Sequence, residues 1–176
     1  GYGPDPNECV ERLREVTGLK CVRGNHDAAI LGEIDKNTFN YEARASLEWL
    51  ESKLRPQNLR WLEKQEERLI LEDITLVHGS PRNPVWEYVM DLQVARENFS
   101  AFDTKFCLVG HTHIPCVYRM NGDSVESKRL YAMASDVSFT LDGRAIINPG
   151  SVGQPRDHDP RSSYLIHDSE SGEWFY

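Results

Sequence analysis

The stretch Phe106-Cys107-Leu108-Val109-Gly110-His111-Thr112-His113 decides the fold class. Four apolar residues in a row read as a short buried strand, and the run stops at once in glycine and two histidines. The same transition recurs three times. Cys21-Val22 leads into Gly24-Asn25-His26-Asp27, Leu76-Val77 into His78-Gly79, and Ala145-Ile146-Ile147 into Asn148-Pro149-Gly150-Ser151. In open α/β sheets ligands bind beyond the carboxyl ends of the strands, so polar groups at four strand ends can converge on one site.

Helical patterns fill the intervals between these strands. Asp5-Pro6-Asn7-Glu8 reads as a helix start, with Asp5 at the N-cap and Cys9, Leu13 and Val16 recurring at helical spacing up to Gly18. Leu19–Val22 reads as the next strand. Ala43, Leu47, Leu50 and Leu54 form an apolar stripe, and Pro56 opens a shorter helix. Leu69–Leu71 and Ile74–Val77 are expected to pair about Glu72-Asp73, with a further helix through Leu92, Ala95, Phe99 and Phe102. After His113 strands dominate: Val117–Met120, a hairpin at Asn121-Gly122-Asp123, and strands near Leu130, Val137–Leu141, Ala145–Ile147 and Ser163–His167. The expectation is a layered α/β fold in a single domain over 1–176, with a helical, cap-like block at 40–66.

Bulk properties limit the function classes. The chain of 176 residues is 39% hydrophobic and 27% charged, ordinary values for a globular protein. A net charge of −8 argues against strong electrostatic binding to nucleic acid or anionic membranes. It leaves room for a small phosphorylated substrate. Cys9, Cys21, Cys107 and Cys116 show no paired spacing and read as free thiols, with Cys9, Cys21 and Cys107 in apolar, core-like segments. Free thiols, with no leader and no apolar span, suggest a cytoplasmic protein.

The residue types at the strand ends then narrow the chemistry. Neutral imidazoles with an amide oxygen suit Mn, Fe, Co, Ni or Zn better than Mg or Ca. His111 and His113 are two apart, which in an extended segment puts both on one side. Such a pair can chelate one ion or serve two ions about 3.5–4 Å apart. Each residue also has a plain reading. A lone His-x-His is as easily a satisfied surface pair, His78 beside Gly79-Ser80-Pro81 a turn residue, and Asn25 a turn-forming Asn. Their joint placement at strand ends favours a site, whereas His158 and His167 read as structural.

Gly24-Asn25-His26-Asp27, Val77-His78-Gly79, Gly110-His111-Thr112-His113 and Asn148–Gly153 together resemble the calcineurin-like metallophosphoesterases. Their order and spacing are those of compact bacterial and archaeal members, described as phosphodiesterases or diadenosine-tetraphosphatase-related phosphatases. The resemblance implies an αββα sandwich and hydrolysis of a phosphodiester or phosphomonoester by metal-bound hydroxide. It implies that Asn25, His78 and His111 ligate one metal and that His113 ligates a second. His26 would stabilise the transition state and protonate the leaving oxygen, with Asp27 orienting it. Asn148 and Arg156 belong to a loop beside the family's site, where Arg156 touches either substrate phosphate or only a surface carboxylate. Trp86 and Tyr88 come soon enough after His78 to meet a nucleotide-like substrate.

The sequence departs from the family pattern at its start. The family's Asp-x-His and Gly-Asp motifs are absent, and Gly1–Pro6 resembles the segment directly after the Gly-Asp in related sequences. The expectation is a chain that lacks the first βα unit and second strand and stops short of the last strand. It would bind at most one metal firmly and act weakly alone, while the intact domain binds two. A non-catalytic scaffold of the same fold is the competing reading, and complete retention of Gly24-Asn25-His26-Asp27 argues against it.

Overall fold

Proline and asparagine chemistry starts the helices of the first sixty residues. Pro6 occupies the first position of α1 (Pro6–Arg14) and Pro56 that of α4 (Pro56–Glu63), where a missing N–H costs nothing. Asn40 caps α3 (Tyr41–Lys53) by accepting from Ala43 N–H at 2.8 Å. Gly24 precedes the short α2 (Asn25–Ile30). The computed structural model describes residues 1–130 and 138–176 and separates into two units, Gly1–Glu67 and Arg68–Tyr176.

The first unit is helical. Ala29 and Ile30 of α2 meet Leu47 and Leu50 of α3 and Leu62 of α4, with Phe39 and Trp61 packed at the margin. Three sequence expectations change here. Leu19–Val22 forms no strand, and only an isolated parallel bridge joins Val22 to Glu66. Asp5 makes no side-chain cap bond. Leu13 and Val16 stand exposed, as does Cys9, because α1 turns Asn7 inward instead. The Asn7 side chain donates to Lys53 C=O at 2.9 Å and accepts from Arg55 N–H at 2.8 Å and from Asn58 Nδ2 at 3.0 Å. Asn58 is wholly buried, so this polar contact holds α1, where apolar packing was expected.

The second unit is built on a six-stranded sheet in the order β1-β2-β3-β7-β4-β5. Its strands are β1 (Arg68–Leu71), β2 (Ile74–Val77), β3 (Phe106–Leu108), β4 (Cys116–Asn121), β5 (Ser124–Arg129) and β7 (Ala145–Asn148). Strands β2, β3 and β7 run parallel, and the β1–β2 and β4–β5 pairs are antiparallel hairpins. The strands turn about Glu72-Asp73 as expected, and Glu72 takes a left-handed φ of 50° there. A second sheet, β6 (Ser138–Thr140), β9 (Glu173–Phe175) and β8 (Ile166–His167), has three strands. The expected Val137–Leu141 strand lies partly outside the described residues, and the expected Ser163–His167 strand shrinks to its last two.

Strand alternation divides the core into two layers. Cys107, Val109, Cys116, Tyr118 and Ile146 join Val77 on the face covered by Ala95 and Phe99 of α5 (Leu92–Asn98) and its extension. Phe106, Val117, Ala145 and Ile147 point the other way, toward Trp174, Leu130 and the three-stranded sheet. All four cysteines are free; Cys107 and Cys116 are buried and Cys21 is half-buried. Burial pushes the Cys107 thiol up to about 12, so it stays protonated. No helix among the described residues is long and apolar enough to cross a membrane.

Candidate metal centre

Parallel strands β2 and β3 end side by side, and their C-terminal extensions bring two histidines together. His78 Nε2 lies 3.1 Å from His111 Nδ1, with ring centroids 4.8 Å apart. His111 Nε2 lies 3.0 Å from the Trp86 carbonyl. A carbonyl only accepts, so Nε2 carries the proton and Nδ1 presents its lone pair to His78. The Tyr88 ring stacks on His111 at 3.6 Å between centroids, tilted by 22°. His113 is held in the same manner from another side: its Nδ1 donates to Gln154 C=O at 2.7 Å, and its own carbonyl accepts from Arg156 N–H at 3.2 Å.

Two of the four described non-glycine residues with left-handed backbone are these histidines. His111 and His113 have φ of 62° and 60°, the left-handed region that side-chain-bearing residues avoid at a cost of about 1–3 kcal/mol each. Thr112 N–H closes back on Gly110 C=O at 2.6 Å, making a tight three-residue turn about His111. The segment is therefore not extended, and the same-side argument for the two rings fails. Each ring is instead aimed by its own carbonyl partner.

Asn148 supports this turn from beneath. Its side chain is 2% exposed, donates to Gly110 C=O at 2.6 Å and to Thr112 Oγ1 at 2.9 Å, and accepts from Gly150 N–H at 2.9 Å. All three of these partners lie within the protein. Arg156 is exposed and donates to Gln154 Oε1 at 2.8 Å. Trp86 is half-buried, and its carbonyl is what meets His111.

Electrostatics favour neutral imidazoles here. Burial pushes the His111 pKa down to about 4, assisted by the nearby His113 and Arg156 and opposed by the Trp86 carbonyl. Burial also lowers the His113 pKa, against the pull of the Gln154 carbonyl. Neutral imidazole is the form that ligates metals. Among the described residues, no three His, Cys, Asp or Glu side chains gather into a group that would hold an ion. The donor pair present nonetheless fits one. Two imidazole nitrogens, each about 2.0–2.1 Å from a shared ion, stand roughly 3 Å apart at a right angle. The carbonyl on His111 Nε2 is the usual partner of a ligating histidine.

In the first unit, Asn25 and His26 open α2, with Asn25 5% exposed. The His26 ring packs against Tyr2 at 4.7 Å and edge-on to Phe39 at 5.3 Å between centroids. Asp27 Oδ2 accepts from Gly24 N–H at 2.9 Å, the reciprocal contact of an N3 carboxylate with its N-cap. The carboxylate therefore serves the turn that presents Asn25 and His26.

A family model describing the calcineurin-like phosphoesterase superfamily domain matches residues 4–172. The chain belongs to that superfamily. It is 35% identical over 175 residues to an uncharacterised protein of Methanocaldococcus jannaschii, a match covering 97% of this chain and 68% of that one. The crystal structure of a metallophosphoesterase from Sphaerobacter thermophilus superposes with a TM-score of 0.86 at 42% identity, covering 99% of this chain and 72% of that one. A hypothetical protein from Pyrococcus horikoshii OT3 shares the fold at a TM-score of 0.70 and 18% identity, over 97% of this chain and 68% of that one. The mixed α/β fold, with its β-sheet and helices, is thus that of the metallophosphoesterases. Membership supports a phosphoesterase function; the family generally binds divalent metals and suggests small phosphoester substrates.

Sequence reasoning missed Gln154, whose contribution is a backbone carbonyl and leaves no residue-type signal. It also missed Ser80, Glu87 and Asn98, which fold the loop after His78. The Gly79-Ser80-Pro81 turn signal was the available pointer: a Cβ on Gly79 would meet Asn83 C=O at 2.8 Å, so that loop closes tightly on itself.

Proposed function

We propose that this domain hydrolyses a small phosphodiester or phosphomonoester, nucleotide-like substrates included, with a divalent transition metal of the Mn, Fe, Co, Ni or Zn class. The observation that carries the reading is the 3.1 Å approach of His78 Nε2 and His111 Nδ1, with the other His111 nitrogen already given to the Trp86 carbonyl. His78 and His111 are the proposed ligand pair of the second unit, with His113 a further ligand aimed by Gln154. On the first unit, Asn25 is proposed as an amide-oxygen ligand. When bound, the metal supplies positive charge for the phosphate oxygens and acidifies water.

The remaining steps belong to the chain itself. His26 donates a proton to the leaving oxygen, a task suited to an imidazole. Asp27 acts through Gly24, holding the turn from which His26 projects. Arg156 and Trp86 border the second-unit histidines as candidate substrate contacts. Low activity is proposed for the 176-residue chain alone, since among the described residues no three His, Cys, Asp or Glu side chains gather into a group that would hold an ion. The same observation favours the second reading, a non-catalytic module of this fold.

Turnover of a chromogenic bis-aryl phosphate with Mn²⁺ by an N-terminally extended form of the chain, before and after His26→Ala and His111→Ala, separates the two. The enzyme reading expects Mn²⁺-dependent turnover that both substitutions abolish. No Mn²⁺-dependent turnover, or turnover indifferent to His26, supports the module instead.

A further inference from the structure

A polar cluster outside the ligand set surrounds Glu87, in the loop between β2 and α5. Glu87 Oε2 accepts from Ser80 Oγ at 2.6 Å and from Asn98 Nδ2 at 2.8 Å. Glu87 Oε1 accepts from Arg82 Nε at 3.2 Å and also pairs with Arg82 Nη2. Arg82 N–H donates to Asn98 Oδ1 at 2.9 Å, and Ser80 and Asn98 are wholly buried. One carboxylate thus ties the outgoing limb of the loop (Ser80, Arg82) to its returning limb and to α5. The Arg82 guanidinium, helped by Asn98 and Ser80, holds this carboxyl down at about 2, so it stays ionised at any working pH.

The residues on either side of Glu87 meet His111. Trp86 places its carbonyl 3.0 Å from His111 Nε2, and Tyr88 lays its ring on His111 at 3.6 Å between centroids. We propose that Glu87 is a positioning residue for His111: by anchoring the Ser80–Arg82–Asn98 network it sets the Trp86 carbonyl and the Tyr88 ring that fix the tautomer and orientation of that histidine. The inference rests on the reading of His111 as a ligand only for its functional consequence. The tautomer itself is a property of the metal-free chain. A carbonyl held on Nε2 keeps the proton there and leaves Nδ1 for His78, or for an ion shared with it. A network serving the fold alone has no reason to govern which ring nitrogen carries the proton.

The test compares the full chain with Glu87→Gln, which keeps length but loses the charge facing Arg82, leaving Arg82 its ion pair with Glu97 at 2.5 Å. Long-range ¹H–¹⁵N spectra of the metal-free protein are expected to report the Nε2–H tautomer of His111 in the wild type and a mixture in the variant. Zn²⁺ titration is expected to show an affinity loss of about ten- to hundred-fold, the usual effect of losing an outer partner of a ligating histidine. Ser80→Ala, a smaller perturbation, should shift the tautomer the same way with lesser amplitude and serves if Glu87→Gln does not fold. A folded variant with wild-type tautomer overturns the proposal, whatever its melting temperature. A tautomer change with no Zn²⁺ binding even in the wild type would sustain the positioning role and sink the metal reading instead.

Discussion

Replacing Asn148 with alanine tests whether this residue supports the histidine turn or reaches substrate. The side chain makes three hydrogen bonds, to Gly110 C=O, Thr112 Oγ1 and Gly150 N–H, and is 2% exposed. A typical intramolecular hydrogen bond contributes about 1 kcal/mol net, and a buried partner left unsatisfied costs about 1–3 kcal/mol. The expected loss is therefore about 3–4 kcal/mol. In a urea titration with a slope of about 2–3 kcal/mol/M, that moves the midpoint down by about 1–2 M. Asn148→Asp separates the two ends of the side chain. It keeps an acceptor for Gly150 N–H but sets a carboxylate against the Gly110 oxygen, so it should cost at least as much at neutral pH and partly recover on acidification. A midpoint for Asn148→Ala within about 0.5 kcal/mol of wild type, accompanied by a raised KM, would refute the supporting role and return Asn148 to the substrate side.

Two more outcomes concern the same region. Gly150→Ala should destabilise by more than about 2 kcal/mol in thermal melts, because φ there is 91° and the new Cβ would collide with Ser163 Oγ. Acid should also weaken the fold through His111. Its folded pKa of about 4 lies below the usual 6.5, so the unfolded chain binds the extra proton and stability falls as pH drops from 6.5 to about 4. The full span corresponds to about 3 kcal/mol, read as the change in urea midpoint between about pH 7 and pH 4, and His111→Gln should flatten that dependence.

Much of the second unit was legible because its local signals agree with its packing. The alternation of Cys107 and Ile146 against Phe106, Ala145 and Ile147 forces one set to each face of the sheet, and Asn121-Gly122 is a turn signal that few other residue pairs give. The first unit was read less well. Cys9, Leu13 and Val16 have helical spacing, yet the helix is oriented by Asn7 and Asn58, whose side-chain contacts span 51 residues of sequence. Periodicity reports that a face is apolar and says nothing of whether a polar contact elsewhere outweighs it.

The histidines at the strand ends, their residue types and the family they signal were all determined by the sequence, because strand periodicity and donor chemistry are local properties. Only the tertiary structure decided how each ring is used. Left-handed φ at His111 and His113, the carbonyls of Trp86 and Gln154, and the buried amide of Asn148 arise from segments about 25 to 40 residues apart, and a backbone carbonyl is chemically the same at every position. Which nitrogen carries the proton is therefore set by where the chain folds back, and no residue letter encodes it.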